Sequence, residues 1–165
     1  MRKILSYILI GITVSAITWF AYIKLTAAGE GDMAPDFSGL LADGTKFELA
    51  DLRGDYVLLQ FWGSWCGPCR RHNQELINFH RDYQGEIKIV SVAVEKEAEK
   101  GRQVANIDGF TWKNQIVEES QFVLMSDIAQ KYGVSSIPTT FLISPGGVLL
   151  GKKSLSEIES ILNKE

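Results

Sequence analysis

"YVLLQFWGSWCGPCRRHNQELINFHRDY", Tyr56 to Tyr83, holds both cysteines of this 165-residue chain and a change of hydrophobic period. Tyr56 to Trp62 is almost continuously apolar and of strand length, as expected for a strand buried on both faces of a sheet. Beyond Cys69 the period lengthens. At about 100° per residue, His72, Leu76, Phe79, His80 and Tyr83 share one side of a helix with Cys69. Arg70, Arg71, Gln74, Glu75, Asn78, Arg81 and Asp82 take the other. "IKIVSVAV", Ile87 to Val94, is a second apolar β-type run, so the three elements form a βαβ unit with a parallel pair. The cysteines stand where its first strand turns into its helix.

Downstream, "EKEAEKGR" from Glu95 to Arg102 is densely charged and predicts a solvated helix face rather than a binding site. "SDIAQKYGV" predicts a short helix stopped at Gly133, and "TTFLIS", "PGG" and "VLLGKK" predict strand, turn and strand. The closing "SLSEIESIL" has Ser154 and Glu157 in capping-box spacing, with Leu155, Ile158, Ile161 and Leu162 able to cover a sheet face. Upstream, Asp43-Gly44 lies between two partly apolar runs and signals a hairpin at the edge of the domain.

The N-terminus has another character. No charge occurs from Ile4 to Ile23, a run of 20 residues, after Arg2 and Lys3. A helix of that length reaches about 30 Å, the thickness of a bilayer's hydrocarbon core. A cleaved signal peptide is the alternative, but its apolar region runs about 7–15 residues, and Lys24 separates this run from Ala27 and Ala28. Residues 1–25 are therefore expected to be a membrane anchor or uncleaved signal, 26–32 a tether, and 33–165 one folded domain. Arg2 and Lys3 favour a cytoplasmic N-terminus, which places the domain outside the cytoplasm. Beyond the anchor stand 14 basic and 20 acidic residues, a balance of −6 that argues against a nucleic-acid partner.

Three chemistries compete for C-x-x-C. A closed zinc site needs four ligands, and the chain offers two cysteines and two histidines, the latter spaced too far along one helix to surround an ion with them. Haem attachment requires His after the second cysteine, where Arg70 stands. A structural disulfide across two residues closes too small a loop to stabilise much. Redox exchange suits the placement best. Cys66 at a helix N-terminus meets unpaired N–H groups and the positive end of the helix dipole, which favour thiolate. A fall of its pKa from about 8.5 to about 7 corresponds to roughly 2 kcal/mol. Cys69, one turn further in, would resolve the mixed disulfide. Pro68 fits the first helical turn, and Trp65 can shield the pair.

"WCGPC" after "LLQFW", with "SSIPTTFLI" at Ser135 to Ile143, resembles the thioredoxin superfamily. The anchor and "MAPDFSGLLADGTKFELADLRGDYVLLQFWGSWCGPC" narrow the resemblance to membrane-anchored TlpA/ResA-type thiol–disulfide oxidoreductases, over the chain from Met33 to its end. The resemblance implies an α/β thioredoxin-like fold, a central mixed sheet flanked by helices, with an N-terminal β-hairpin extension and one transmembrane helix. By similarity Pro138 is the cis-proline facing the dithiol, and the backbone of Ile137 pairs with substrate beside Trp65 and Cys66. No metal or other cofactor is implied. The implied partners are disulfide-containing exported proteins, including apocytochromes c, and a membrane thiol donor. The implied place is the bacterial cytoplasmic membrane, with the domain facing the periplasm or cell exterior.

The Gly-Pro interior resembles reducing members, while an oxidant or isomerase, or a docking module without turnover, stays open. Neither cysteine has the Pro-x-x-x-Thr-x-x-Cys context of a peroxiredoxin. Two positions depart from relatives. Gln60 stands where thioredoxin has a buried aspartate, and His72 where many anchored relatives have a glutamate. His72 is either a packed helix histidine or the acceptor of the Cys69 proton. His80 is expected at the core boundary.

Overall fold

Strand β3, Val57–Trp62, is buried at every position and is the axis of the fold. The computed structural model describes residues 2–83 and 85–164, leaving Met1, Gln84 and Glu165 outside it. Pleating sends Val57, Leu59 and Phe61 to one face of the sheet and Leu58, Gln60 and Trp62 to the other. Helix α1 (Arg2–Thr26) precedes the domain, and strands β1 (Ser38–Leu40) and β2 (Lys46–Glu48) form a separate antiparallel hairpin. Then come α2 (Gly67–Asp82), β4 (Lys88–Glu95), α3 (Ala98–Asp108), β5 (Asn114–Glu119), α4 (Asp127–Lys131), β6 (Thr139–Ile143), β7 (Leu149–Lys152) and α5 (Leu155–Leu162).

The main sheet runs β5-β4-β3-β6-β7. β3 pairs parallel with β4, opposing Leu59 to Val90 and Gln60 to Ser91, and β4 pairs parallel with β5. β6 is antiparallel to β3, which puts Thr139 opposite Phe61 and so brings the segment before β6 to the end where β3 turns into α2. This is the mixed thioredoxin-like sheet expected from the sequence.

Each face has its core. Val57, Leu59 and Phe61 pack with Val92, Tyr132 and Phe141. Leu58 packs with Leu76 of α2, Leu142 and Ile158 of α5, and Trp62 joins Cys66, Cys69 and Ala105. The predicted capping box is formed, Ser154 accepting from Glu157 N–H and Glu157 reaching back to Ser154 N–H. The hairpin turns at Gly44, φ 81°, and β1 lies so close to β5 that a Cβ at Gly39 would meet Ile116 Cγ2 at 2.8 Å.

Helix α1 includes a 20-residue apolar stretch, Lys3–Tyr22, none of it buried and long enough to cross a membrane, which suits a single-pass anchor. The segment after it is hydrogen-bonded to the domain, Ala28 N–H to Lys131 O at 3.0 Å and Gly31 N–H to Leu149 O at 2.9 Å.

The charged run after β4 departs from expectation. β4 continues through Glu95, which is only 2% exposed, and α3 begins at Ala98. A solvated face describes Lys96, Glu97, Glu99 and Lys100 but not Glu95 or the buried Gly101. One further residue of β pairing, Glu95 opposite Glu119, is what carries the carboxylate inside.

Candidate active site

Cys66 is the N-cap of α2 in extended backbone, so its sulfur faces the first turn and accepts the Cys69 N–H at 3.2 Å. Pro68 sits within that turn, where no intrahelical N–H partner is needed. The cysteines are joined as a disulfide, so the structure is the oxidised form. Cys69 is 0% exposed and Cys66 7%, so an incoming group reaches Cys66 first. The thiolate formed on reduction inherits the Cys69 N–H and the N-terminus of a 16-residue helix, both of which favour the anion.

The residues around the sulfurs come from three strand ends. The Ile137–Pro138 bond is cis, and the Ile137 carbonyl oxygen lies 3.7 Å from Cys66 Sγ. Trp65 is largely exposed, with its indole N–H donating to Val94 O at 3.0 Å. Ser64 gives its N–H to Glu95 Oε1, and its hydroxyl donates to Glu95 Oε2 at 2.9 Å. The end of β4 therefore grips both residues that precede Cys66.

Beneath α2 lies a polar layer. Gln60, fully buried, donates to Asn73 Oδ1 at 2.9 Å and accepts from Ser91 Oγ at 3.0 Å, and Trp112 Nε1–H donates to Ser91 Oγ at 2.8 Å. Asn73 Nδ2 donates to Asp108 Oδ2 at 2.9 Å. Asp108 also receives Arg70 Nε–H at 2.7 Å, and its carbonyl receives Gln74 Nε2 at 3.1 Å. The Gln60, Asn73, Ser91 and Trp112 side chains each donate to an acceptor within this layer, which ties the start of α2 to β3, β4 and α3.

His72 lies half-buried on the inner side of α2. Its Nε2 is 3.0 Å from Thr140 Oγ1 and its Nδ1 3.3 Å from Glu75 Oε2. His80 packs edge-on against Trp112, with ring centroids 5.7 Å apart. The structure thus gathers Cys66, Cys69, Trp65, Ile137 and Pro138 at one strand end, with His72 one turn below. Glu95, Asn73, Asp108 and Thr140 were not singled out from the sequence. Asn73 could have been, because it falls four residues after Cys69 and three before Leu76 on the inward stripe. Asp108, between Ile107 and Gly109, and Glu95, at the head of a charged run, carry no such signal.

Burial raises the phenol pKa of Tyr132, aided by the negative charge of Asp36, and its hydroxyl donates to Pro35 O at 2.7 Å. This group supports the opposite face of the sheet from α2.

The sequence model described as the AhpC/TSA family matches residues 30–151. The chain is 30% identical to the thioredoxin-like protein YneN of Bacillus subtilis over a 174-residue alignment, covering 99% of this chain and 98% of that one. It is 31% identical to the thiol-disulfide oxidoreductase ResA of Geobacillus thermodenitrificans, covering 89% of this chain and 82% of the relative. Among solved structures, the thioredoxin domain of a thiol-disulfide oxidoreductase from Bacteroides vulgatus superposes with a TM-score of 0.73 at 23% identity, covering 83% of this chain and all of that one, a likeness of fold.

Proposed function

We propose that this chain, which belongs to the AhpC/TSA family and is a thiol–disulfide oxidoreductase of the TlpA/ResA type, works as a reductant of disulfides in exported proteins. The observation that carries the proposal is the pairing of an N-cap sulfur, held by the Cys69 N–H and flanked by the Ile137 carbonyl, with a resolving sulfur that is fully buried. Cys66 thiolate attacks one sulfur of the client disulfide. A Cys66–client bond forms, the client bond breaks, and the released client thiolate takes a proton from water. Cys69 then loses its proton and attacks Cys66 Sγ, which forms the bridge seen here and releases the second client thiolate. Two electrons pass from the dithiol to the client, and a membrane thiol donor returns them by the same exchange in reverse.

In this proposal α1 stays as a single-pass anchor and the domain stands outside the cytoplasm, which Arg2 and Lys3 before the apolar stretch support. Apocytochromes c are the client class that the TlpA/ResA resemblance implies. Ile137 offers its backbone to the client strand, and Trp65 covers the mixed disulfide from the side.

Both ring nitrogens of His72 are engaged, which supports a packed residue bridging α2 and β6 over a proton acceptor for Cys69. The His72→Ala variant is then expected to keep the Cys69 resolution rate within about twofold at neutral pH; a tenfold loss that follows the ionisation of one group would restore the proton-transfer role. The functional test is capture of clients by the Cys69→Ser variant in intact cells. Exported proteins held through a single client cysteine are expected, and exclusive capture of non-cysteine contacts would leave a docking module instead.

A further inference from the structure

Beside the dithiol runs a groove of about 610 Å³ of which the exchange described above uses only the Trp65 wall. Its lining includes Ser64, Trp65, Phe122, Val123, Leu124 and Ser135. Trp65 is 60% exposed and Phe122 63%, with Leu124 and Met125 also open to solvent, an unusual concentration of large apolar groups on a domain whose other such side chains are mostly buried. The groove is continuous with the reacting centre on two sides. Ser64 and Trp65 precede Cys66 directly, and Ser135 lies two residues before Ile137, whose carbonyl touches Cys66 Sγ.

The charged residues of the lining are Glu95, Lys96 and Lys100. The Glu95 carboxylate is committed to Ser64 at the floor. Lys100 stands 3.7 Å from Glu97, a pair with both partners well exposed and therefore weak. What the rim presents is positive, on a domain whose balance is −6.

Extended backbone repeats its side-chain direction every second residue, about 6.6 Å apart. A client strand lying along Ile137 with its reacting cysteine at Cys66 therefore turns the side chain two residues away over Ser135 and into the apolar wall. We propose that this groove selects polypeptide clients carrying a large apolar side chain two residues from the reacting cysteine and an acidic residue beside it, met by Lys96 and Lys100. The proposal rests on the reductase function above and names the client chemistry that Cys66 meets.

The test uses the full chain in detergent micelles, reduced beforehand, with glutathione disulfide and a set of cysteine peptides capped by glutathione through a disulfide. The peptides carry Phe or Ser two residues from cysteine, and Asp or Lys next to that position. The Phe/Asp peptide is expected to exceed the Ser/Lys peptide about tenfold in the single-turnover second-order rate constant, a span that one apolar pocket contact and one complementary charge can supply. Lys96→Glu with Lys100→Glu should move the preference from Asp to Lys, and Phe122→Ser should abolish the preference for Phe. Every variant should still reduce glutathione disulfide, since Phe122 and the two lysines are exposed and hydrogen-bond to neither cysteine, and the preferences are read as ratios between peptides within each variant. Equal rates for all peptides in the unaltered chain overturn the proposal while leaving the reductase function intact. Failure to reduce even glutathione disulfide removes the function on which it rests. Unchanged peptide preferences in the variants, with quenching of Trp65 by brominated phosphatidylcholine after reconstitution of a Trp19→Phe chain, assign the face to the lipid surface and likewise overturn it.

Discussion

Removing the Asp108 carboxylate probes the polar layer that fixes the first turns of α2. The side chain is 3% exposed and accepts from Arg70 and from Asn73 Nδ2, the latter at 2.9 Å. In Asp108→Ala, Asn73 Nδ2 is left without its acceptor in a position where the residue is 0% exposed, a loss of about 1–3 kcal/mol. Arg70 is 38% exposed and turns to water, so its share is at most about 1 kcal/mol. The total of roughly 1–4 kcal/mol corresponds to a fall in Tm of about 3–14 °C for a domain of this size. Asp108→Asn retains an acceptor for Asn73 and loses only the charge, so it should fall by less than half as much. Urea unfolding of the oxidised protein, followed by tryptophan fluorescence, measures both. Equal effects for the two variants, or a change below about 0.5 kcal/mol for Asp108→Ala, would refute the idea that Asn73 depends on this carboxylate.

Glu95→Ala removes both acceptors of Ser64 and is expected to cost about 1–3 kcal/mol and to slow attack by Cys66 severalfold, whereas Lys96→Ala changes stability by under about 0.5 kcal/mol; unfolding and stopped-flow reduction of glutathione disulfide separate the two. Gly39→Ala forces a Cβ to 2.8 Å from Ile116 Cγ2 and should destabilise by about 1–3 kcal/mol, with Gly44→Ala penalised instead through its φ of 81°; because Ile116→Ala removes that Cγ2, the double variant Gly39→Ala/Ile116→Ala should lose less than the sum of the two single losses. Tyr132 has a folded pKa raised above its ordinary value of 10.0, so the folded state holds its proton where the unfolded chain has begun to lose it. That stability is present below pH 10 and declines as pH rises further; Tyr132→Phe should flatten the alkaline limb while costing about 1 kcal/mol near neutrality, because Pro35 O loses its donor.

The βαβ centre of the fold was legible because β3 and β4 are buried on both faces and read as unbroken apolar runs, and α2 carries a helical stripe of core residues. Ser154 and Glu157 announced α5 by side-chain chemistry alone. β5 was illegible for a physical reason. It is an edge strand of sequence NQIVEE in which only Ile116 is buried, so neither alternation nor an apolar run survives. The dithiol was legible from C-x-x-C at a strand-to-helix turn, but its supports were not. Gln60, Asn73 and Asp108 are polar groups buried against one another, and hydrophobic periodicity cannot indicate which polar residues find partners inside. Glu95 was misplaced on the solvent side because its neighbours are charged, while one more residue of strand pairing decides its burial.

The direction of electron flow is the centre of the functional account, and the reduction potential of the Cys66–Cys69 couple tests it most directly. Equilibration of the full chain with glutathione buffers, followed by thiol alkylation, gives that potential. A value near that of reducing thioredoxin-fold proteins, about −270 mV, is predicted, and a value near the strong oxidants, about −120 mV, would contradict it.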